Sequence, residues 1–206
     1  MDADVLVADA ARNAASAPPM PSASPPVLVL LSGGADSAAV VAHYRAASQP
    51  VAALHVDYGQ PARVSEWAAA RRVAAHYKTP ISRVSTNAGF VASHGEYPCR
   101  NAFLITLAAG RLVRAPHVIA LGIHEDSPYY DCSPAFVGDV QRILDGQFGG
   151  VVQLAAPFLS ATKPDIYAWS RVHRVPLELT YSCERRSRRP CGMCASCRDR
   201  QRLGHG

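Results

Sequence analysis

Short apolar runs alternate with helix-patterned segments five times along this 206-residue chain, and no other feature restricts its fold as tightly. The runs are PVLVLL (26–31), PVAALHVDYG (50–59), the weaker ISRVS (81–85), HVIALGI (117–123) and VVQLAAPF (151–158). Short continuous apolar runs of this kind are what a strand buried on both faces requires. The segments after them are DSAAVVAHYRAAS (36–48), ARVSEWAAARRVAAHYK (62–78), NAFLITLAAGRLVRA (101–115), SPAFVGDVQRILDGQ (133–147) and TKPDIYAWSRVHR (162–174). Helical spacing puts Val64, Trp67, Ala68 and Ala75 on one face of the second, and Leu104, Leu107, Ala108 and Leu112 on one face of the third. Ser133 suits a helix cap and Pro134 the first turn behind it. The expected fold is α/β: a doubly wound, five-stranded, mostly parallel sheet with helices on both faces. Ligands of such sheets bind beyond the carboxyl ends of the strands. Those ends here carry SGGADS, DYGQ and GIHEDS.

Three regions are expected. Residues 1–26 are rich in Ala, Pro and Ser, and ASAPPMPSASPP can neither bury much surface nor form a regular helix, so this part reads as a disordered lead-in. It lacks the basic start and apolar block of a secretory signal, and Asp2, Asp4 and Asp9 disfavour a transit peptide. No stretch approaches the ~20 apolar residues of a membrane span. A cytoplasmic location is expected. Residues 27–178 form the α/β domain, and the 49% hydrophobic composition supports an ordinary core. Residues 179–206 form a small cysteine-bearing appendage.

The first strand runs into Ser-Gly-Gly-Ala-Asp-Ser, and a helix follows. Gly33 and Gly34 allow close approach of the main chain and positive φ, and the free N–H groups of the new helix attract an anion. Ser32 and Ser37 add hydroxyl donors. Asp36 would repel a bare phosphate, so a carboxylate here implies an accompanying cation, Mg²⁺. Simple capping is the competing reading, since Ser and Asp open helices without any ligand. The loop lacks both the Gly-Lys-Ser/Thr ending and the Gly-x-Gly-x-x-Gly spacing of the commoner nucleotide loops.

Cys183, Cys191, Cys194 and Cys197 place four soft ligands within fifteen residues. Disulfides are scarce in the cytoplasm, so the pattern points to one ion held by four thiolates, a closed structural Zn²⁺ site. Pro190 and Gly192 permit the turn that joins Cys191 to Cys194. Between Glu184 and Arg202 seven arginines face only Glu184 and Asp199, a local excess of +5 equal to that of the whole chain. These arginines (Arg185, Arg186, Arg188, Arg189, Arg198, Arg200 and Arg202) would offset the negative thiolate site. A nucleic-acid patch and an iron–sulfur cluster are the alternatives. Cys99 and Cys132 read as packing residues.

SGGADS resembles the signature of the N-type ATP pyrophosphatases, which hold the outer phosphates of ATP there and adenylate a carbonyl oxygen. ALHVDYGQ is similar to the strand that lines the adenine pocket in that group. Further motifs resemble the 7-cyano-7-deazaguanine synthase family: YPCRNAFLITLAA, GIHEDSPYYDCSPAF, APFLSATKPDIYAW and LTYSC…CGMCASCRDR. The resemblance covers residues 27–202. It implies a ligase that converts 7-carboxy-7-deazaguanine and ammonia to 7-cyano-7-deazaguanine with two ATP, serving queuosine and related 7-deazapurines. It also implies a homodimer, structural zinc, and ATP with Mg²⁺.

By the same resemblance, Leu31, Ser32, Gly33, Gly34, Ala35, Asp36 and Ser37 hold pyrophosphate and metal, Val56 meets adenine, and Asn101 and Gly122 lie beside the nucleotide. Asp36, Arg100 and Lys163 carry the chemistry, Arg100 and Asn101 meeting the carboxylate or phosphates and Lys163 the triphosphate. Glu125, Tyr130 and Asp131, beside Asp126 and Tyr129, face the substrate. Each has a plainer reading as a cap, a surface charge or a solvated loop. Ser133 stands where the family has Arg, and the loops at 86–99 and 122–132 are short for the family. A paralogue that stops at the amide, or joins the acyl group to another amine such as a protein terminus in a defence system, is the competing expectation. A non-catalytic nucleotide sensor and a tRNA-thiolating relative stand behind it. No glutaminase fits within 206 residues, so ammonia comes free or from a partner.

Overall fold

The structure is a computed structural model that describes residues 24–87, 89–90, 96–112, 117–185 and 189–204. Most of the expected lead-in, residues 113–115 of the third expected helix, and Arg186 and Arg188 lie outside the described residues. Five strands form one sheet: β1 (Val27–Leu30), β2 (Val51–Asp57), β3 (Ile81–Ser85), β4 (His117–Ala120) and β5 (Val152–Ala155). Their order is β3-β2-β1-β4-β5, and every pairing is parallel. Val27 sits beside Val51 on one side and Val118 on the other. The chain adds strands to one edge through β3, then returns past β1 to build the other edge. The crevice at this reversal, between the ends of β1 and β4, is where such sheets take ligands.

Among the described residues six α-helices accompany the strands: α1 (Ala35–Ala46), α2 (Arg63–His76), α3 (Arg100–Ala109), α4 (Pro134–Phe148), α5 (Lys163–Val172) and α6 (Ala195–Arg202). The period-two pattern of β1 divides them. Val27, Val29 and Leu31 face a core shared with α1, α2 and α5, which contribute Ala38, Val73 and Ile166. Leu28 and Leu30 face the other core, with Ile105 of α3 and Phe136 and Val140 of α4. Burying each large side chain contributes about 1.5–3 kcal/mol, so the two faces together hold the sheet.

Local chemistry sets several boundaries. Ser133 Oγ accepts from Phe136 N at 3.1 Å, Pro134 opens α4, and Gly149 closes it at φ 62°. Thr162 and Asp165 cap each other reciprocally at the start of α5. Two expected faces differ from the structure. In α2 the buried stripe is Ala69, Ala70, Val73 and Ala74, while Val64 is 71% exposed and Ala68 and Ala75 are exposed. An alanine-rich helix offers several equivalent stripes, and small residues win where the helix must lie close to another backbone. In α3 the stripe centres on Asn101, Ile105, Ala108 and Ala109, with Leu104 and Leu107 only partly covered.

Candidate active site

Beyond β1 the chain turns sharply at Gly33, whose φ is +97°. A Cβ there would stand 2.5 Å from the Glu66 carbonyl oxygen and 2.8 Å from Ala70 N. The missing side chain therefore admits α2, not a ligand. Gly34 differs from expectation: its φ is −77°, and a Cβ would meet nothing closer than Ser32 Oγ at 3.5 Å. Positive φ is needed at one glycine only. The loop binds itself: Ser32 Oγ accepts from Gly34 N at 3.2 Å, and Ser37 Oγ donates to Gly34 O at 3.0 Å. Gly33 N donates to Ser37 Oγ at 3.3 Å, and the two hydroxyls lie 3.1 Å apart. Gly34, Ala35, Asp36 and Ser37 at the start of α1 border the cavity, and the N-terminus of a helix attracts anions.

Asp36 stands in the first turn of α1. Its Oδ2 accepts from Lys163 Nζ at 2.5 Å, while Oδ1 is buried without a partner. Gly122, after β4, makes this possible, since a Cβ there would lie 2.8 Å from the Asp36 carbonyl carbon. The neighbouring loops are fastened together: Asp126 Oδ2 accepts from Lys163 N at 2.5 Å, and Glu125 N donates to Ala161 O at 3.0 Å. His124 lies between these ties with Nδ1 buried and unpartnered. Burial pushes its imidazole below the ordinary range.

These groups border a cavity of about 370 Å³ that includes Leu31, Ser32, Gly34, Ala35 and Ser37 in its wall. Val56 and Tyr58 line it from the end of β2, and Gln60 and Glu66 from the turn and helix that follow. Arg100 and Asn101 close it from the start of α3. Asn101 is 5% exposed and turned toward Asp131, its N donating to Asp131 Oδ2 at 3.2 Å and its Nδ2 to Asp131 O at 2.8 Å. Asp131 is equally buried in this clasp, outside the cavity wall. Tyr130 is 57% exposed and donates to Asp139, so Tyr129 is the tyrosine of that loop that lines the cavity. Glu125 is an exposed turn residue. The geometry thus joins Asp36, Lys163, Gly122, Arg100 and the glycine turn, and leaves Tyr130 and Glu125 aside.

His124 and Glu66 are cavity residues that spacing alone did not single out. Both lie just past a strand end, in GIHEDS and in the first turn after DYGQ, and that position was the available signal. At the same edge Arg83 Nη2 bonds Asp57 Oδ2 at 2.6 Å. Burial pushes the Asp57 carboxyl up, but Arg83 and the Gly59 N–H outweigh it and hold it below the ordinary range.

The cysteine segment forms another wall, through Tyr181, Ser182, Cys183, Glu184 and Ser196. The Sγ atoms of Cys183, Cys191, Cys194 and Cys197 all lie within 4.8 Å of one another, and those of Cys191 and Cys197 are 4.0 Å apart. Tetrahedral Zn–S bonds of about 2.3 Å need sulfurs roughly 3.8 Å apart, so the donor set fits zinc. Met193 N and Cys194 N each donate to Cys191 Sγ at 3.4 Å, and these bonds hold its thiol below the ordinary range. Gly192, at φ +72°, makes the turn. Cys99 and Cys132 stand apart from the cluster: Cys132 is buried, which pushes its thiol up as suits packing, whereas Cys99 is exposed and is not the packing residue expected. Arg200 donates to Thr180 Oγ1 at 2.7 Å and Arg202 pairs with Asp199 at 3.0 Å, so these two arginines brace the segment. A backbone bond ties it to the glycine turn: Tyr181 N donates to Gly33 O at 2.9 Å. No helix among the described residues is long and apolar enough to cross a membrane.

The family model described as asparagine synthase matches residues 14–99, and that described as queuosine biosynthesis protein QueC matches residues 90–203. Over 113 residues the chain is 34% identical to the 7-cyano-7-deazaguanine synthases of Brucella ovis and Brucella canis, covering 52% of this chain and 49% of each relative. The chain thus spans about half the length of the curated relatives it matches. Among solved structures it is similar to a Methanocaldococcus jannaschii protein described as a predicted subunit of tRNA methyltransferase, with a TM-score of 0.53 at 12% identity over 71% of this chain and 74% of that one. That likeness is one of fold. With its C-terminal half matched and its cysteine ligands brought to one point, the chain belongs to the QueC family.

Proposed function

We propose that this chain uses ATP to activate the carboxylate of 7-carboxy-7-deazaguanine and passes the acyl group to ammonia, forming first the amide and then 7-cyano-7-deazaguanine. One observation carries the reading: at the sheet's reversal point a glycine turn presents Asp36, held by Lys163, with its Oδ1 buried and unpartnered. A buried carboxylate oxygen without a donor is costly unless a ligand completes it. The name of the similar proteins supplies the product, and the resemblance of the motifs to that family implies the carboxylate substrate.

Asp36 is the residue suited to hold Mg²⁺, which when bound neutralises phosphate charge. Lys163 Nζ and the N-terminus of α1 receive the charge of departing pyrophosphate. Arg100, at the opposite wall, meets the substrate carboxylate. The carboxylate oxygen attacks the α-phosphorus and pyrophosphate leaves. Ammonia then adds to the acyl carbon, AMP leaves, and the nitrogen loses a proton to give the amide. A second ATP adenylates the amide oxygen, and loss of AMP with the remaining nitrogen protons gives the nitrile. The protein contributes orientation and charge, without a covalent enzyme intermediate. The four thiols hold zinc as structure.

In a second reading the activated acyl group goes to a different amine, such as a protein terminus, or stops at the amide. Ser133 favours it: the residue standing where the family has Arg is here the cap of α4, with no cationic group. Incubation with ATP, 7-carboxy-7-deazaguanine and ammonium tests both. The nitrile mass with two AMP per product is expected. The amide as end product, or the deazapurine mass appearing on a protein, supports the second reading, and absence of AMP release overturns both.

A further inference from the structure

Glu66, in the first turn of α2, and Arg100, which opens α3, line the cavity from neighbouring elements. Each lies within electrostatic reach of the other, yet no ion pair closes between them. Arg100 Nε donates to Asn101 Oδ1 at 3.3 Å, a contact within its own turn. Glu66 Oε2 accepts from Gln60 Nε2 at 2.8 Å, and Gln60 Oε1 accepts from Tyr58 N at 2.9 Å. The carboxylate is therefore held by a side chain that the backbone holds in turn. Burial pushes the Glu66 carboxyl up, and Gln60 only partly pulls it back. One neutral donor leaves several lone-pair directions of that carboxylate unmatched in a partly dry wall. Beside it stands the flat ring of Tyr58, its hydroxyl turned toward Arg100, backed by Phe90 at 5.6 Å and Tyr97 at 6.1 Å between ring centres. An acid and a base beside a flat aromatic ring suit a planar heterocycle that carries both donors and an anion.

We infer that Glu66 is a specificity-determining residue whose carboxylate accepts the paired ring N–H and exocyclic NH₂ of a guanine-type edge, while Arg100 takes the carboxylate at the far end of the same molecule. The two oxygens of a carboxylate match two adjacent donors. An adenine edge sets one donor next to an acceptor, which a carboxylate repels, so the same wall rejects ATP's base in that orientation. The assignment deepens the proposed function and rests on its deazaguanine substrate.

Calorimetric binding to the full, zinc-containing chain tests it, with 7-deazaguanine and 7-deazahypoxanthine, which lacks the amino group, as probes. The unaltered protein should prefer 7-deazaguanine by about 10- to 100-fold. Glu66→Gln should shrink that preference to below about 3-fold and leave ATP affinity unchanged, since one acceptor becomes a donor. Glu66→Asp, which keeps the charge and shortens the reach, should lower the same preference. Arg100→Lys should weaken 7-carboxy-7-deazaguanine and spare 7-deazaguanine. No preference in the unaltered protein, a preference retained in Glu66→Gln, or an equal loss of ATP affinity in that variant each overturns the assignment. If the protein binds 7-deazaguanine through Glu66 but releases no AMP with the carboxylate, the reaction fails and the edge recognition stands. If AMP is released while Glu66→Gln keeps the preference, the reverse holds.

Discussion

The phosphate side of the cavity and its substrate side are built at different ranges along the chain. The glycine turn is tied by Ser32, Gly33, Gly34 and Ser37, with partners at most five residues apart. Distant pairs hold the rest: Asp57 with Arg83 across 26 residues and Asn101 with Asp131 across 30 in the other walls, and Asp36 with Lys163 across 127, which joins the phosphate side to a later loop. A turn closed locally forms wherever the strand and helix around it form, and its chemistry travels as a unit. A wall assembled from distant loops exists only in the finished fold, and one substitution there can re-aim it.

The largest effect should follow from the pair that bridges the two sides. Asp36→Asn should lower AMP release at least about 100-fold, because the carboxylate suited to hold the metal and fix Lys163 is lost, while zinc content measured by elemental analysis stays unchanged. Retained turnover would place the phosphate machinery elsewhere. Next come the glycines, which separate folding from binding. Gly33→Ala forces φ +97° and a 2.5 Å contact, so it should cost about 2–4 kcal/mol and lower the melting temperature. Gly34→Ala, with ordinary φ and open space, should leave melting nearly unchanged and weaken nucleotide binding; equal destabilisation by both would erase the distinction.

Asn101→Ala probes the substrate side, since it removes the Nδ2 donor to the Asp131 carbonyl while keeping the N–H bond to its carboxylate, and should cost about 1–3 kcal/mol in denaturant unfolding. Acid should act more gently. His55 is fully buried, Nδ1 lies 3.0 Å from Leu31 O, and Nε2 has no partner. Burial lowers its pKa below 6.5, so the unfolded chain binds the proton first. Its contribution is complete above about pH 6.5 and falls as pH drops, by up to about 1.4 kcal/mol per unit. Melting should drop between pH 7.5 and 5.5, and His55→Gln should flatten part of that drop.

Much of this was legible before any fold was known. The central strands were readable because both their faces are buried, which leaves continuous apolar runs, whereas β3 at the sheet edge has no buried residue and left only a weak run. Ser133 and Pro134 marked the start of α4 because a cap is satisfied within three residues. The four cysteines converge because their spacing allows one ion. The buried face of α2 was not legible, since alanine carries too little hydrophobic contrast to mark a stripe and the deciding contact was Gly33 against its backbone. Tyr129 and Tyr130 were indistinguishable as neighbours until Asp139, on the following helix, drew Tyr130 outward.

Sequence by itself determined the alternation of strands and helices, the place of the glycine turn between β1 and α1, and the thiol cluster, each of which depends on spacing over a few residues. Only the tertiary structure decided that Lys163 completes Asp36, that Gly122 clears the way for them, that Tyr181 ties the cysteine segment to the turn, and that Glu66 faces the same cavity as Arg100. Those arrangements join residues far apart in the chain, and the sheet's parallel register is what brings their strand ends to one edge.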